Sequence, residues 1–156
     1  MNREQAYQIL EKNMTKPNLI KHSLAVEAVM KHFAEMNNED VEYWSNVGLL
    51  HDIDYELYPE EHCKKYREVL QDTVDDEFIK TLESHGYELC TETKPEKFME
   101  KILITIDQLT GFIIACTLMT PTKKLADVEL ESMLKKWKRK DFAARNTKRE
   151  NRILDK

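Results

Sequence analysis

The sequence predicts an all-α domain, and three observations carry that prediction. Only three glycines and four prolines punctuate 156 residues. Glu, Lys and Leu, which lose little on entering a helix, are abundant. Runs of alternating β-branched residues, the mark of a half-buried strand, are missing. A chain of this length reads as one domain over 1–156, a helical bundle with its core at about 17–119 and C-terminal helices over 120–156.

Residues 2–13 form a short amphipathic helix, with Asn2 and Gln5 spaced for a capping box and Tyr7 and Leu10 inward. Pro17 suits the first position of the next helix, which runs to about Met36 and is interrupted by Asn37 and Asn38. Its apolar stripe is Val26, Val29, Met30 and Phe33, and one turn before Val26 stands His22, which therefore points inward. His32 falls off that stripe, on the surface.

A third helix is expected from about Glu39, with Asn38 as its N-cap and Glu39 and Asp40 in its first turn. Trp44, Val47, Leu49 and Leu50 bury one face, and the helix ends by carrying His51 and Asp52 out of that burial together. Neighbouring helical residues point about 100° apart, so these two side chains cannot stack but can embrace a third body. Imidazole nitrogen plus carboxylate oxygen suits a divalent transition metal. Taken alone, a His-Asp dipeptide more often marks a hydrogen-bonded histidine beside an exposed aspartate.

Pro59-Glu60-Glu61 is expected to open a helix that holds His62 in its first turn and reaches about Leu70. A positive helix end disfavours the protonated imidazole. Cys63, beside His62, could serve as a soft ligand but reads better as a small buried residue. Residues 75–84 form a helix with Phe78, Ile79 and Leu82 inward, closed by His85 and by Gly86 as a left-handed cap. Pro95 opens the longest helix, which runs to Met119 before Thr120-Pro121.

From Ile102 to Met119 that helix carries one charge, Asp107. Polar neighbours and the lack of a second such segment argue against a membrane span and for a central core helix. A carboxylate there needs a compensating cation. After a turn at 122–127, Leu130, Met133, Leu134 and Trp137 repeat as a packing stripe. Thr147 and Glu150 form a capping box for a last helix holding Ile153 and Leu154.

Charge and cysteine content narrow the partners. Residues 39–100 hold 18 acidic and 6 basic residues, whereas 135–156 hold 10 basic and 3 acidic. A solvated helical face explains so short a basic run better than nucleic-acid contact. Cys63, Cys90 and Cys116 are odd in number and widely spaced, so they suggest neither a disulfide framework nor a zinc ribbon. With no signal-peptide core at the N-terminus, a reducing cytoplasm is expected.

His22, His51-Asp52, His62, His85 and Asp107 thus fall on successive helices and use four of the five histidines. This order resembles that of the HD-domain superfamily of metal-dependent phosphohydrolases, as do Leu-Leu-His-Asp-Ile, His-Gly-Tyr and Ile-Asp-Gln-Leu-Thr-Gly-Phe. These three motifs, with Thr-Pro-Thr-Lys-Lys-Leu-Ala-Asp, are similar to those of small stand-alone bacterial members. Many hydrolases of the superfamily have Gly-Lys shortly after the doublet; this chain has Asp54-Tyr55.

The resemblance implies an HD-type bundle in which His22, His51, Asp52, His62, His85 and Asp107 hold one or two ions of Fe, Mn, Zn, Ni or Co. Asp52 would bridge them. It also implies hydrolysis of a phosphate ester or anhydride of a small molecule or nucleotide through a metal-activated water. Asp54 is a candidate proton carrier, and Lys21, Lys123 and Lys124 are candidate phosphate contacts. The same six residues also resemble those of mixed-valent di-iron oxygenases on this scaffold. A non-catalytic helical module is the third reading. Substrate and oligomeric state are not legible in the sequence.

Overall fold

The structure, a computed structural model, describes residues 1–138. The predicted Thr147–Glu150 capping box, the last helix and most of the basic run lie outside the described residues. Seven α-helices stand among the described residues, with no strand. The chain divides into two compact units, Met1–Asp107 and Gln108–Lys156.

In the first unit, α1 (Arg3–Asn13) begins on the expected capping box, Asn2 Oδ1 accepting from the Gln5 amide at 2.9 Å and Gln5 Oε1 from the Asn2 amide at 2.9 Å. Arg3 then reaches α2 (Pro17–Asn37), where its guanidinium donates to both carboxylate oxygens of Glu27 at 2.5 and 3.0 Å. No side chain caps the start of α2. It is fixed instead by Glu56, whose carboxylate accepts from the amides of Thr15 and Lys16 and from the Thr15 hydroxyl. Because Glu56 follows the His-Asp doublet in the chain, this clamp sets the helix that carries His22 against the turn that carries Asp52.

The third helix differs from expectation at its start. Asn38 takes the left-handed conformation that ends α2, its amide donating to Ala34 and Glu35 carbonyls, so it cannot open the next helix. Asp40 caps α3 (Val41–Leu50) by accepting from the Tyr43 amide at 2.9 Å, and Glu42 is the acid in its first turn. The pairing of α2 with α3 is close because Gly48 has no side chain. A Cβ at Gly48 would lie 2.9 Å from Met30 Cγ and 3.0 Å from Glu27 Cα. Gly48→Ala is therefore expected to destabilise the fold by about 1–3 kcal/mol through overpacking, despite a helix-propensity gain of about 1 kcal/mol. Chemical denaturation of the two proteins checks this.

The helix predicted from Pro59 to Leu70 is broken. Pro59–Glu61 is a single 3-10 turn, and α4 is only Tyr66–Leu70. Between them Cys63 adopts a φ of 68°, a left-handed backbone that ends a right-handed helix. His62 therefore lies after a turn, not inside a helix start. Helix α5 (Asp76–Ser84) forms as expected, capped by Asp75 and burying Phe78, Ile79 and Leu82. Gly86 does not close it as a left-handed cap, since no glycine here has positive φ.

Helix α6 (Phe98–Leu118) starts three residues later than Pro95 predicts. The buried Glu100 carboxylate folds back to accept from the Glu96 and Lys97 amides at 2.8 and 3.0 Å, and this sets the start. The helix is long and apolar enough to cross a membrane by length and composition alone. Its first half is core, with Met99, Leu103 and Ile106 packed beside Val26, Leu50 and Leu82. Its far end is not the core helix expected from sequence: Leu118 is 60% exposed.

In the second unit, a 3-10 turn at Leu125–Asp127 precedes α7 (Leu130–Trp137). The predicted packing stripe is only half used. Trp137 meets Phe112 edge-on with ring centroids 4.9 Å apart, whereas Leu130 and Leu134 are exposed.

Candidate metal centre

The end of α3 dictates where His51 points. Its backbone stays right-handed, and Nδ1–H donates to the Gly48 carbonyl at 2.8 Å, an acceptor the helix end leaves without an intrahelical partner. The His51 carbonyl accepts in turn from the Tyr66 hydroxyl at 2.5 Å. His51 is wholly buried, so Nε2 has one direction left, into the space between α2 and α6.

His85 repeats the device at the end of α5. Its Nδ1–H donates to the Leu82 carbonyl at 2.5 Å. His62, on its broken helix, uses a side chain for the same purpose: Nδ1–H donates to Asp54 Oδ1 at 2.8 Å, while Asp54 Oδ2 accepts from the Lys65 amide at 3.2 Å. These partners assign each Nδ1 the proton and leave each Nε2 a lone pair.

The lone pairs converge. His22 Nε2 lies 3.2 Å from His51 Nε2 and 2.9 Å from Asp107 Oδ1, and His51 Nε2 lies 3.5 Å from that same oxygen. Asp52 stands between two groups. Its Oδ2 is 3.4 Å from His51 Nε2 and 3.7 Å from His22 Nε2; its Oδ1 is 3.4 Å from both His62 Nε2 and His85 Nε2. His22, His51, Asp52 and Asp107 form one cluster, and Asp52, His62 and His85 the other.

The electrostatics follow from that crowding. Burial pulls the His51 imidazolium down, but the charge of Asp52 and the hydrogen bonds of Asp107 and Asp52 outweigh it and hold His51 well above its ordinary value. His62 is raised for the same reasons, burial being opposed by the Asp54 hydrogen bond and the Asp52 charge. Burial pushes Asp52 and Asp107 up, and the histidines facing them bring both below the usual carboxylate range. Two carboxylates thus draw protons onto imidazoles packed nitrogen to nitrogen. A divalent cation meets the same demand with one centre, and nitrogen and carboxylate oxygen are its donors. The residues fit a metal on the chemistry of the donor set.

A family model described as the HD domain matches residues 19–155. The chain belongs to the HD-domain family. Comparison with curated proteins and with solved structures gives no match. HD domains are metal-dependent hydrolases as a superfamily, and the two clusters lie within the matched span.

The HD domain brings together all six residues singled out as ligands in the sequence. His32 is exposed on α2, as expected. Asp54 is not in the cleft: it is wholly buried behind His62, both oxygens occupied, which is a poor position for a proton carrier. Lys21 is exposed beside His22, and Lys123 and Lys124 are exposed in the second unit. His62 meets carboxylates rather than the helix dipole assumed for it. Two participants were missed. Tyr66 is a buried hydrogen-bond donor that sequence offers only as an apolar position, and Tyr55, half exposed, sets its ring edge-on to His62 at 5.0 Å.

Proposed function

We propose that the protein is a metal-dependent phosphohydrolase that cleaves a phosphate ester or anhydride of a small molecule or nucleotide. The observation that carries this is the convergence of four Nε2 atoms and two carboxylates on one spot, three of the imidazoles being pinned through Nδ1. His22, His51 and Asp107 would hold one ion, His62 and His85 the other, and Asp52 both. Such ions, when bound, supply Lewis acidity toward water and phosphoryl oxygens and give a positive centre to an acidic chain segment.

The chain's own groups do the rest. His51 and His85 form a buried floor, at 0% and 4% side-chain exposure, each held through Nδ1 by a backbone carbonyl. Asp52, Asp107 and His22, at 15–22%, face the solvent from which a substrate enters. Lys21, exposed beside His22, is the candidate phosphate contact of this reading. Asp54 acts as a positioning residue for His62. A small phosphorylated substrate in the cytoplasm, without membrane or nucleic-acid partner, completes it.

Asp54→Asn removes the charge behind His62. It is expected to weaken the ion assigned to His62 and His85 about 10- to 100-fold and leave that of His22, His51 and Asp107 bound, as read by metal titration. The activity test is hydrolysis of nucleotides, dinucleoside polyphosphates and simple monoesters, read as product formation, with Mn2+ or Co2+ added. Metal-dependent turnover supports the proposal. Coloured protein that consumes dioxygen and hydrolyses none of them would move it to the di-iron oxygenase class, and protein that binds no metal would leave a helical module.

A further inference from the structure

One pair of thiols beside the candidate metal centre has no role in the hydrolytic reading. Cys63 follows His62 and is 1% exposed; Cys90 lies in the tight loop after His85 and is half buried. The two sulfurs and a ring nitrogen of His62 all lie within 4.8 Å of one another. What lets the sulfurs meet is Gly86, where a Cβ would lie 2.5 Å from each of them. Space, not backbone conformation, therefore demands glycine at 86. The loop is held in place by the Gly86 carbonyl, which accepts from the Cys90 amide at 2.9 Å and from the Cys90 thiol at 3.6 Å.

A third metal site at this spot is disfavoured because His62 is already committed. Its Nδ1 is held by Asp54 and its Nε2 faces Asp52. Two thiols brought within 4.8 Å of each other, with no side chain at Gly86 to keep them apart, point to redox chemistry instead. We propose that Cys63 and Cys90 close to a disulfide under a hydroperoxide, and that closure weakens ion binding by the Asp52, His62 and His85 cluster. Only the second half rests on the metal reading.

The reaction balances with hydrogen peroxide as oxidant. The more accessible Cys90 thiol is oxidised to a sulfenic acid as the peroxide O–O bond breaks and one water leaves. Cys63 sulfur then displaces the hydroxyl, which departs with the Cys63 proton as a second water. The link to the centre is short. Cys63 adjoins His62 in the chain, and its sulfur lies 4.0 Å from His85 Nε2. Drawing Cys63 toward Cys90 shifts the backbone of both loops that present these histidines, and the left-handed backbone of Cys63 leaves it little freedom to absorb the movement.

The test uses the full chain, stripped of metal, treated with one equivalent of hydrogen peroxide, freed of oxidant and then titrated with Mn2+. Intact mass is expected to fall by about 2 Da, with one cross-linked peptide joining Cys63 to Cys90. Cys116→Ser should behave the same, while Cys63→Ser and Cys90→Ser should form no such link. The oxidised wild type should bind one Mn2+, that of the Asp52, His62 and His85 cluster, at least about tenfold less tightly, with recovery after dithiothreitol. Oxidised Cys90→Ser should bind as the reduced protein does. A protein that forms no Cys63–Cys90 link, or forms it and binds both ions unchanged, overturns the inference. Reduced protein that binds no Mn2+ would sink the metal reading and the coupling with it, leaving the mass result to decide the disulfide alone.

Discussion

Asp52→Ala is expected to remove both metal ions and lower turnover at least roughly a thousandfold, while far-UV circular dichroism stays that of a helical protein. Asp52 is the only residue common to the two clusters, and each of its oxygens faces two imidazoles. No other single substitution reaches both. His62→Ala or His85→Ala, by contrast, should leave the ion of His22, His51 and Asp107 in place. Elemental analysis of the purified variants separates these outcomes. An Asp52→Ala protein that keeps two ions, or turns over without metal, would refute the proposed role.

The second large effect is on stability. Without metal, the protein is expected to melt higher at about pH 5.5 than at about pH 8.5, by roughly 5 °C or more. His51 and His62 have folded-state values raised above the unfolded ones. Their contribution is complete below the unfolded value near 6.5 and disappears as pH rises through the raised one. Asp52 and Asp107 are depressed, so their contribution is present above about pH 4 and fades as pH falls through their folded values. The metal-free optimum therefore lies between those limits. Added Mn2+ should reverse the order, since a cation replaces the lost imidazolium charge and binds best to neutral histidine. Thermal melts at the two pH values, with and without Mn2+, measure it.

How far the sequence could be read depends on what holds each residue in place. His22, His51, Asp52, His85 and Asp107 were legible because helical phase and helix ends set their directions, and the family resemblance joined them across about ninety positions. The acceptors that fix the imidazoles were not legible. The Gly48 and Leu82 carbonyls are backbone groups, and no residue type announces that a helix end will offer them. The break at Cys63 was hidden because a left-handed backbone at a non-glycine residue is imposed by tertiary packing. Asp54 looked like a cleft residue in a polar turn, and only the position of His62 explains its burial. Gly86 was recognised as necessary for the wrong reason, because the sulfur atoms that require it come from Cys63 and Cys90, far from each other in the chain.

Anomalous diffraction from crystals of the Mn2+-loaded protein tests the central claim most directly. The account predicts two peaks, about 3.5–4 Å apart, on either side of Asp52. One should be bounded by His22, His51 and Asp107, and the other by His62 and His85. Loaded crystals with no peak at Asp52, or with the metal held elsewhere on the chain, would contradict it.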